Sequence, residues 1–221
     1  GGYEDSFYRY LNAGLRVPFS TGTDWFMYDF SRCYARVEGE LTPESWLAAL
    51  RAGRTFITNG PLLELRVNGS EPGSTIDLAN PAELRVEATA RGRLDFGRLE
   101  LVQNGRVIES TPARAADGHF KAKLAVSVSA AEPGWLATRT TTSAKNEYGP
   151  PLFAHTSAVY VTVARRTICR EEDVRYLMGQ LESARSAIAA KAQFDTDQQR
   201  QRVLQLYDQA VSNLRAKLSK E

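Results

Sequence analysis

Hydrophobic and polar positions follow different periods along the chain, and the changes of period divide it into three segments. In residues 61–166, apolar residues occupy every second position in short runs separated by turn residues. A period of two is typical of strands with one buried face, and about seven such runs predict an immunoglobulin-like β-sandwich. The positions expected to face inward are Leu65, Val67, Leu84, Val86, Leu99, Leu101, Leu124, Val159 and Val161.

The last segment, residues 167–221, changes to a helical period. Its apolar positions, beginning with Val174 and Leu177, recur at the spacing of one helix face until the residues around Phe194 interrupt the pattern. Thr196 followed by Gln199 is the signature of a capping box, which predicts the start of a second helix. Two amphipathic helices with a short connection predict an antiparallel helical hairpin.

The first segment, residues 1–60, mixes the two periods. An aromatic-rich stretch over 6–12 predicts a helix, and the apolar run 15–19 predicts a strand. Thr42 and Pro43 have the pattern of a helix N-cap and first turn, and residues 54–58 predict a further strand. Strand, helix and strand in this order are typical of α/β structure. The predicted class is therefore α+β and multidomain: a partial α/β unit, a sandwich and a helical hairpin.

Composition removes several classes of function. The net charge of +2 is nearly balanced and the basic residues are scattered, so no nucleic-acid-binding surface is expected. No apolar run approaches the ~20 residues that span a bilayer, and the first residues resemble no signal peptide. Cys33 and Cys169 form no CxxC or zinc spacing, and a disulfide and two free thiols both remain open. The cellular compartment is left open as well.

The side chains that usually carry catalysis are few. The chain has two histidines, His119 in a turn and His155 before the last predicted strand of the sandwich, and no HxH, HExxH, G-x-S-x-G or P-loop motif. No catalytic residue is assigned. Asp24 follows the predicted strand 15–19, where α/β barrels place functional groups. The same residue in Thr-Gly-Thr-Asp also fits a turn.

Three stretches resemble one family of enzymes. Residues 8–24 (YRYLNAGLRVPFSTGTD) are similar to the late part of the PHP-superfamily (polymerase and histidinol phosphatase) metallohydrolases, in the branch that includes carbaryl-hydrolase-like enzymes. Residues 47–63 (LAALRAGRTFITNGPLL) resemble the point where the barrel of that branch meets its β domain. Residues 154–161 (AHTSAVYV) resemble the last strand of that domain, although Ala158 stands where the family often has proline.

The resemblance implies a metal site that is only partly encoded here. Of the family's metal ligands, the late aspartate alone matches, at Asp24, and Phe26 stands where the pattern often has a histidine. Thr21 and Thr23 are expected to orient that carboxylate and Trp25 to line its pocket, with His155 as a further candidate.

The expected function follows from that resemblance. The chain is expected to be the C-terminal fragment of a metal-dependent ester or phosphoester hydrolase that uses zinc, manganese or iron when intact. Alone it is expected to be inactive and to bind no metal tightly, because one ligand does not hold a divalent ion. Its expected partners are the missing N-terminal barrel region and a second copy of the chain. The alternative is a β-sandwich binding module of a non-catalytic PHP-like protein.

Overall fold

A computed structural model describes residues 6–22 and 31–219 of the chain. Their elements, in chain order, are α1 (Phe7–Asn12), β1 (Arg32–Ala35), α2 (Pro43–Arg51), β2 (Thr55–Thr58), β3 (Leu62–Val67), β4 (Thr75–Leu78), β5 (Ala82–Gly92), β6 (Arg98–Gln103), β7 (Arg106–Pro112), β8 (Arg114–Ala116), β9 (His119–Ala130), β10 (Gly134–Thr141), β11 (Ala154–Thr156), β12 (Val159–Val163), α3 (Glu171–Lys191) and α4 (Asp197–Leu218). None of these described helices has the length and apolar character needed to cross a membrane.

The contacts divide the chain into two units, which are described separately. The helical unit combines Gly1–Arg16 with Ile168–Glu221, and the two-sheet unit is Val17–Thr167. Helix α1 therefore belongs with α3 and α4, whereas β1, α2 and β2 belong with the later strands. The predicted boundary at residue 60 falls inside the two-sheet unit.

In the helical unit, α3 and α4 form the predicted pair. Ion pairs join Arg185 to Asp208 and Glu182 to Arg215, so the two helices run antiparallel. The side chain of Thr196 accepts a hydrogen bond from the backbone N–H of Gln199, which confirms the predicted N-cap of α4. The prediction of a C-terminal helical pair is confirmed.

The two-sheet unit is built on one hydrophobic core that both sheets line. One sheet has eight strands, in the order β1-β2-β11-β10-β12-β4, with β6 paired to β10 and β7 to β6. The other has four strands, in the order β3-β5-β9-β8. All nine positions predicted to face inward are buried in the shared core. The turn at Asn104 and Gly105 joins β6 to β7 with both residues at positive φ, as a two-residue hairpin of this type requires.

Strands β1 and β2 form one edge of the eight-stranded sheet. They pair with each other antiparallel, and β2 also pairs antiparallel with β11. Helix α2 lies between them in sequence and begins at the predicted N-cap, Thr42, which also forms a capping box with Ser45. The strand predicted at 15–19 is wrong, because residues 15–22 belong to no strand. Pro18 has no backbone N–H to give to a ladder, and Phe19 bonds to side chains instead.

Candidate functional site

A row of paired residues crosses five strands of the eight-stranded sheet. Cys33 lies opposite Ile57, Ile57 opposite His155, His155 opposite Arg139, and Arg139 opposite Glu100. Directly paired residues carry their side chains on the same face of a sheet. The shared core includes Phe56, Ala154, Leu99 and Leu101, which are next in sequence to three members of the row. The row, which we call the outer row, therefore lies on the opposite face.

His155 is the central member of the outer row and is fully buried. Its Nδ1 lies 2.6 Å from the carbonyl oxygen of Thr156. Since a carbonyl can only accept, Nδ1 carries the proton and donates, and in the neutral ring Nε2 is the acceptor nitrogen. The backbone of its own strand therefore fixes the orientation of the ring.

Residues 17–22 are attached to the outer face through Phe19. The ring of Phe19 meets the ring of His155 edge to face, with centroids 5.2 Å apart. The backbone N–H of Phe19 donates to Oγ of Ser157 at 3.3 Å, and its carbonyl accepts from Oγ1 of Thr55 at 2.9 Å. The two hydroxyl oxygens are themselves 2.7 Å apart.

These distances define a closed circuit of hydrogen bonds. The hydroxyl of Thr55 donates to Phe19, so the hydroxyl of Ser157 must donate to Thr55, and Oγ of Ser157 then accepts from Phe19. Each hydrogen-bond donor in the circuit therefore has an acceptor. Thr55 and Ser157 are both buried, which makes these bonds costly to break.

Cys33 contacts the same segment at Phe19 and again at Thr21, two residues further along the chain. The thiol of Cys33 lies 3.8 Å from the carbonyl oxygen of Phe19. Burial raises the pKa of the Cys33 thiol, and a hydrogen bond from the backbone of Thr21 opposes that shift. The net direction is upward, so the thiol is protonated near neutral pH and is a poor nucleophile. Cys33 therefore supports the segment rather than acting as a reactive group.

Arg139 and Glu100 close the other end of the outer row with an ion pair. Nε of Arg139 donates to Oε2 of Glu100 at 2.8 Å, and both side chains are largely withdrawn from solvent. A pair in this environment is costly to disrupt because the remaining charge would stay desolvated. It fixes the register of β6 against β10 beside His155.

The residues predicted from sequence fall into two groups. Thr23, Asp24 and Trp25 lie outside the described residues. Thr21 and His155 are described, and both lie on the outer face around Phe19. Within residues 6–22 and 31–219, no cluster of three or more His, Cys, Asp or Glu side chains is arranged to hold a metal ion.

Sequence reasoning missed Thr55, Ser157 and Cys33 as the partners of Phe19. Each is small, so none stood out from ordinary strand composition. The sequence separations to Phe19 are 36, 138 and 14 residues, so no local spacing connects them. The signal in the sequence is that Thr55 and Ser157, two residues with hydroxyl groups, lie two positions from the buried residues Ile57 and His155.

No protein-family model matches this sequence, and a search of curated proteins finds no match.

Proposed function

We propose that this chain is the C-terminal portion of a PHP-like metal-dependent hydrolase of esters or phosphoesters, and that Asp24 supplies one ligand to its metal centre. In this proposal the two-sheet unit is an immunoglobulin-like β-sandwich that supports the ligand-bearing segment. The resemblance of residues 8–24 and 47–63 to that family motivates the proposal.

The observation that carries the proposal is the attachment of Phe19 to the outer face. The hydrogen-bond circuit with Thr55 and Ser157, together with the ring of His155, fixes the chain five residues before Asp24. The described part of this segment ends at Gly22, two residues before Asp24 in sequence. A metal ligand needs a supported backbone of this kind, because metal geometry tolerates little displacement.

Among the described residues, no group of three or more His, Cys, Asp or Glu side chains is arranged to hold a metal ion. Their part in the proposal is support, and the other ligands come from barrel elements outside these 221 residues. The metal, expected to be zinc, manganese or iron, would supply Lewis-acid activation of a water molecule.

The test is an Asp24→Asn variant of the intact protein. We expect it to bind less metal per chain, measured by mass spectrometry of the metal, and to hydrolyse nitrophenyl acetate or nitrophenyl phosphate at least about tenfold more slowly. Asp195→Asn is the matched control, because it makes the same chemical change at an exposed position between α3 and α4. Asp24→Asn with wild-type metal content and rate would overturn the proposal.

A further inference from the structure

Strands β1 and β2 extend beyond the edge of the facing sheet. In the four-stranded sheet β3 is one of the two edge strands, and it packs over β11 and β10. The eight-stranded sheet continues past β11 with β2 and then β1. The inner face of these two strands therefore overhangs the edge of the core, and a cavity of about 340 Å³ opens between it and β3.

Among the lining residues of this cavity are two aromatic residues of β1 and β2, Tyr34 and Phe56, and two arginines just beyond these strands, Arg36 and Arg54. Tyr34 lies directly opposite Phe56, and their rings are stacked with centroids 4.9 Å apart and planes 5° from parallel. The backbone N–H of Arg36 donates to the carbonyl of Arg54 at 2.8 Å, which continues the ladder. Because side chains alternate along a strand, the two arginines share the face of the two aromatic rings.

Two like charges directly opposite each other destabilise a sheet. The structure relieves this repulsion only in part. Glu71 accepts from Arg36 and, at 2.7 Å, from a third arginine of the cavity, Arg66. Arg54 contacts Glu38 at 3.2 Å, but Glu38 is 77% exposed, so solvent screens that pair.

Arg54 also carries an unsatisfied donor. Its Nε is buried and has no hydrogen-bond partner among the described residues. The rest of the Arg54 side chain is 29% exposed and lines the cavity, so an oxyanion placed there would accept from the accessible part of its guanidinium. The residues that line the cavity carry three guanidinium groups and two carboxylates, those of Glu64 and Glu71. Glu38, which contacts Arg54, does not line the cavity and is largely in solvent.

We propose that this cavity binds a small aromatic acid, with its ring against Tyr34 and Phe56 and its oxyanion between Arg36 and Arg54. The guanidinium fork matches the geometry of a carboxylate or phosphonate, and the stacked pair offers an apolar surface for a flat ring. The volume is within the range of ligand sites, at about 300–1,000 Å³. This inference does not depend on the hydrolase proposed above.

The experiment compares probes that carry one or both features. Phenylphosphonate has a ring and an oxyanion, inorganic phosphate has only the anion, and benzyl alcohol has only the ring. In calorimetric titrations of the full chain, we expect phenylphosphonate to bind at least about tenfold more tightly than either of the others. Equal binding of phosphate and phenylphosphonate, or no binding of phenylphosphonate, would overturn the proposal.

Variants locate the binding. We expect Arg36→Gln and Tyr34→Ala each to weaken phenylphosphonate binding at least about tenfold. Arg36 is 57% exposed, so its replacement leaves the fold intact, which circular dichroism checks. Arg54→Lys keeps the charge but removes the fork, and it should also weaken binding.

Arg85→Gln is the matched control, because Arg85 is an exposed arginine paired to Glu87 on the other sheet. Unchanged affinity in Arg36→Gln, or an equal loss in Arg85→Gln, would overturn the assignment.

Discussion

The two faces of strands β1 and β2 differ in how their polar groups are satisfied. On the outer face, Thr55 and Cys33 hold Phe19, and every group of the hydrogen-bond circuit has its partner. On the inner face, Arg36 and Arg54 lie opposite each other, with a buried donor left over. Because successive residues of a strand point to opposite faces, β1 and β2 carry both the outer face that holds Phe19 and the inner face that holds the two arginines. A satisfied face supports structure, whereas an unsatisfied one is suited to binding a ligand.

The largest expected effect comes from removing the ring at the centre of the outer face. His155→Ala should lower the free energy of unfolding by about 3 kcal/mol, because it leaves a cavity, an unpaired carbonyl at Thr156 and no contact for the ring of Phe19. Tyr34→Ala on the inner face should cost less than about 1 kcal/mol, since Tyr34 is 47% exposed. Urea unfolding measures both, and equal losses would contradict the distinction between the faces.

A smaller effect is expected from opening the hydrogen-bond circuit. Ser157→Ala removes the acceptor of the Phe19 N–H and the donor to Thr55, which should cost about 1–2 kcal/mol. Hydrogen exchange at the Phe19 amide should become faster. Ser110→Ala is the matched control: its hydroxyl is on an exposed strand, and its loss should change stability by less than about 0.5 kcal/mol. If the Phe19 amide exchanged at the wild-type rate in Ser157→Ala, the circuit would not be what holds the segment.

The core and the helical pair could be predicted because their signals are local. Alternation identified the nine inward positions, and capping patterns identified the starts of α2 at Thr42 and α4 at Thr196. Both rest on residues a few positions apart, where backbone geometry alone determines which side chains share a face.

The outer and inner faces of β1 and β2 could not be predicted, because their composition depends on which strands pair with each other. A strand, a helix and a strand in sequence do not reveal that β1 and β2 pair antiparallel, so the opposition of Arg36 and Arg54 was not visible. Asp24 was predicted from resemblance, and it stays a prediction. The strand predicted at 15–19 failed because a short apolar run does not show whether its partners are a ladder or side chains such as that of Ser157.

The smallest expected effect concerns the protonation of Cys33. Burial raises the pKa of its thiol above the ordinary value of 9.0, so the folded state holds the proton more strongly than the unfolded chain does. The stability this provides is fully present below 9.0 and is lost as pH rises through the higher, folded pKa. In a Cys169→Ser background, Cys33 should therefore react with a thiol reagent more slowly in the folded protein than in urea, because only the thiolate attacks. The urea midpoint of the Cys169→Ser protein should also fall between neutral and alkaline pH, and it should fall further than in the same protein with Cys33→Ala added. The added variant removes the Cys33 thiol and leaves all other titrating groups in place. Folded-state labelling as fast as in urea would mean that the outer face does not shield this thiol.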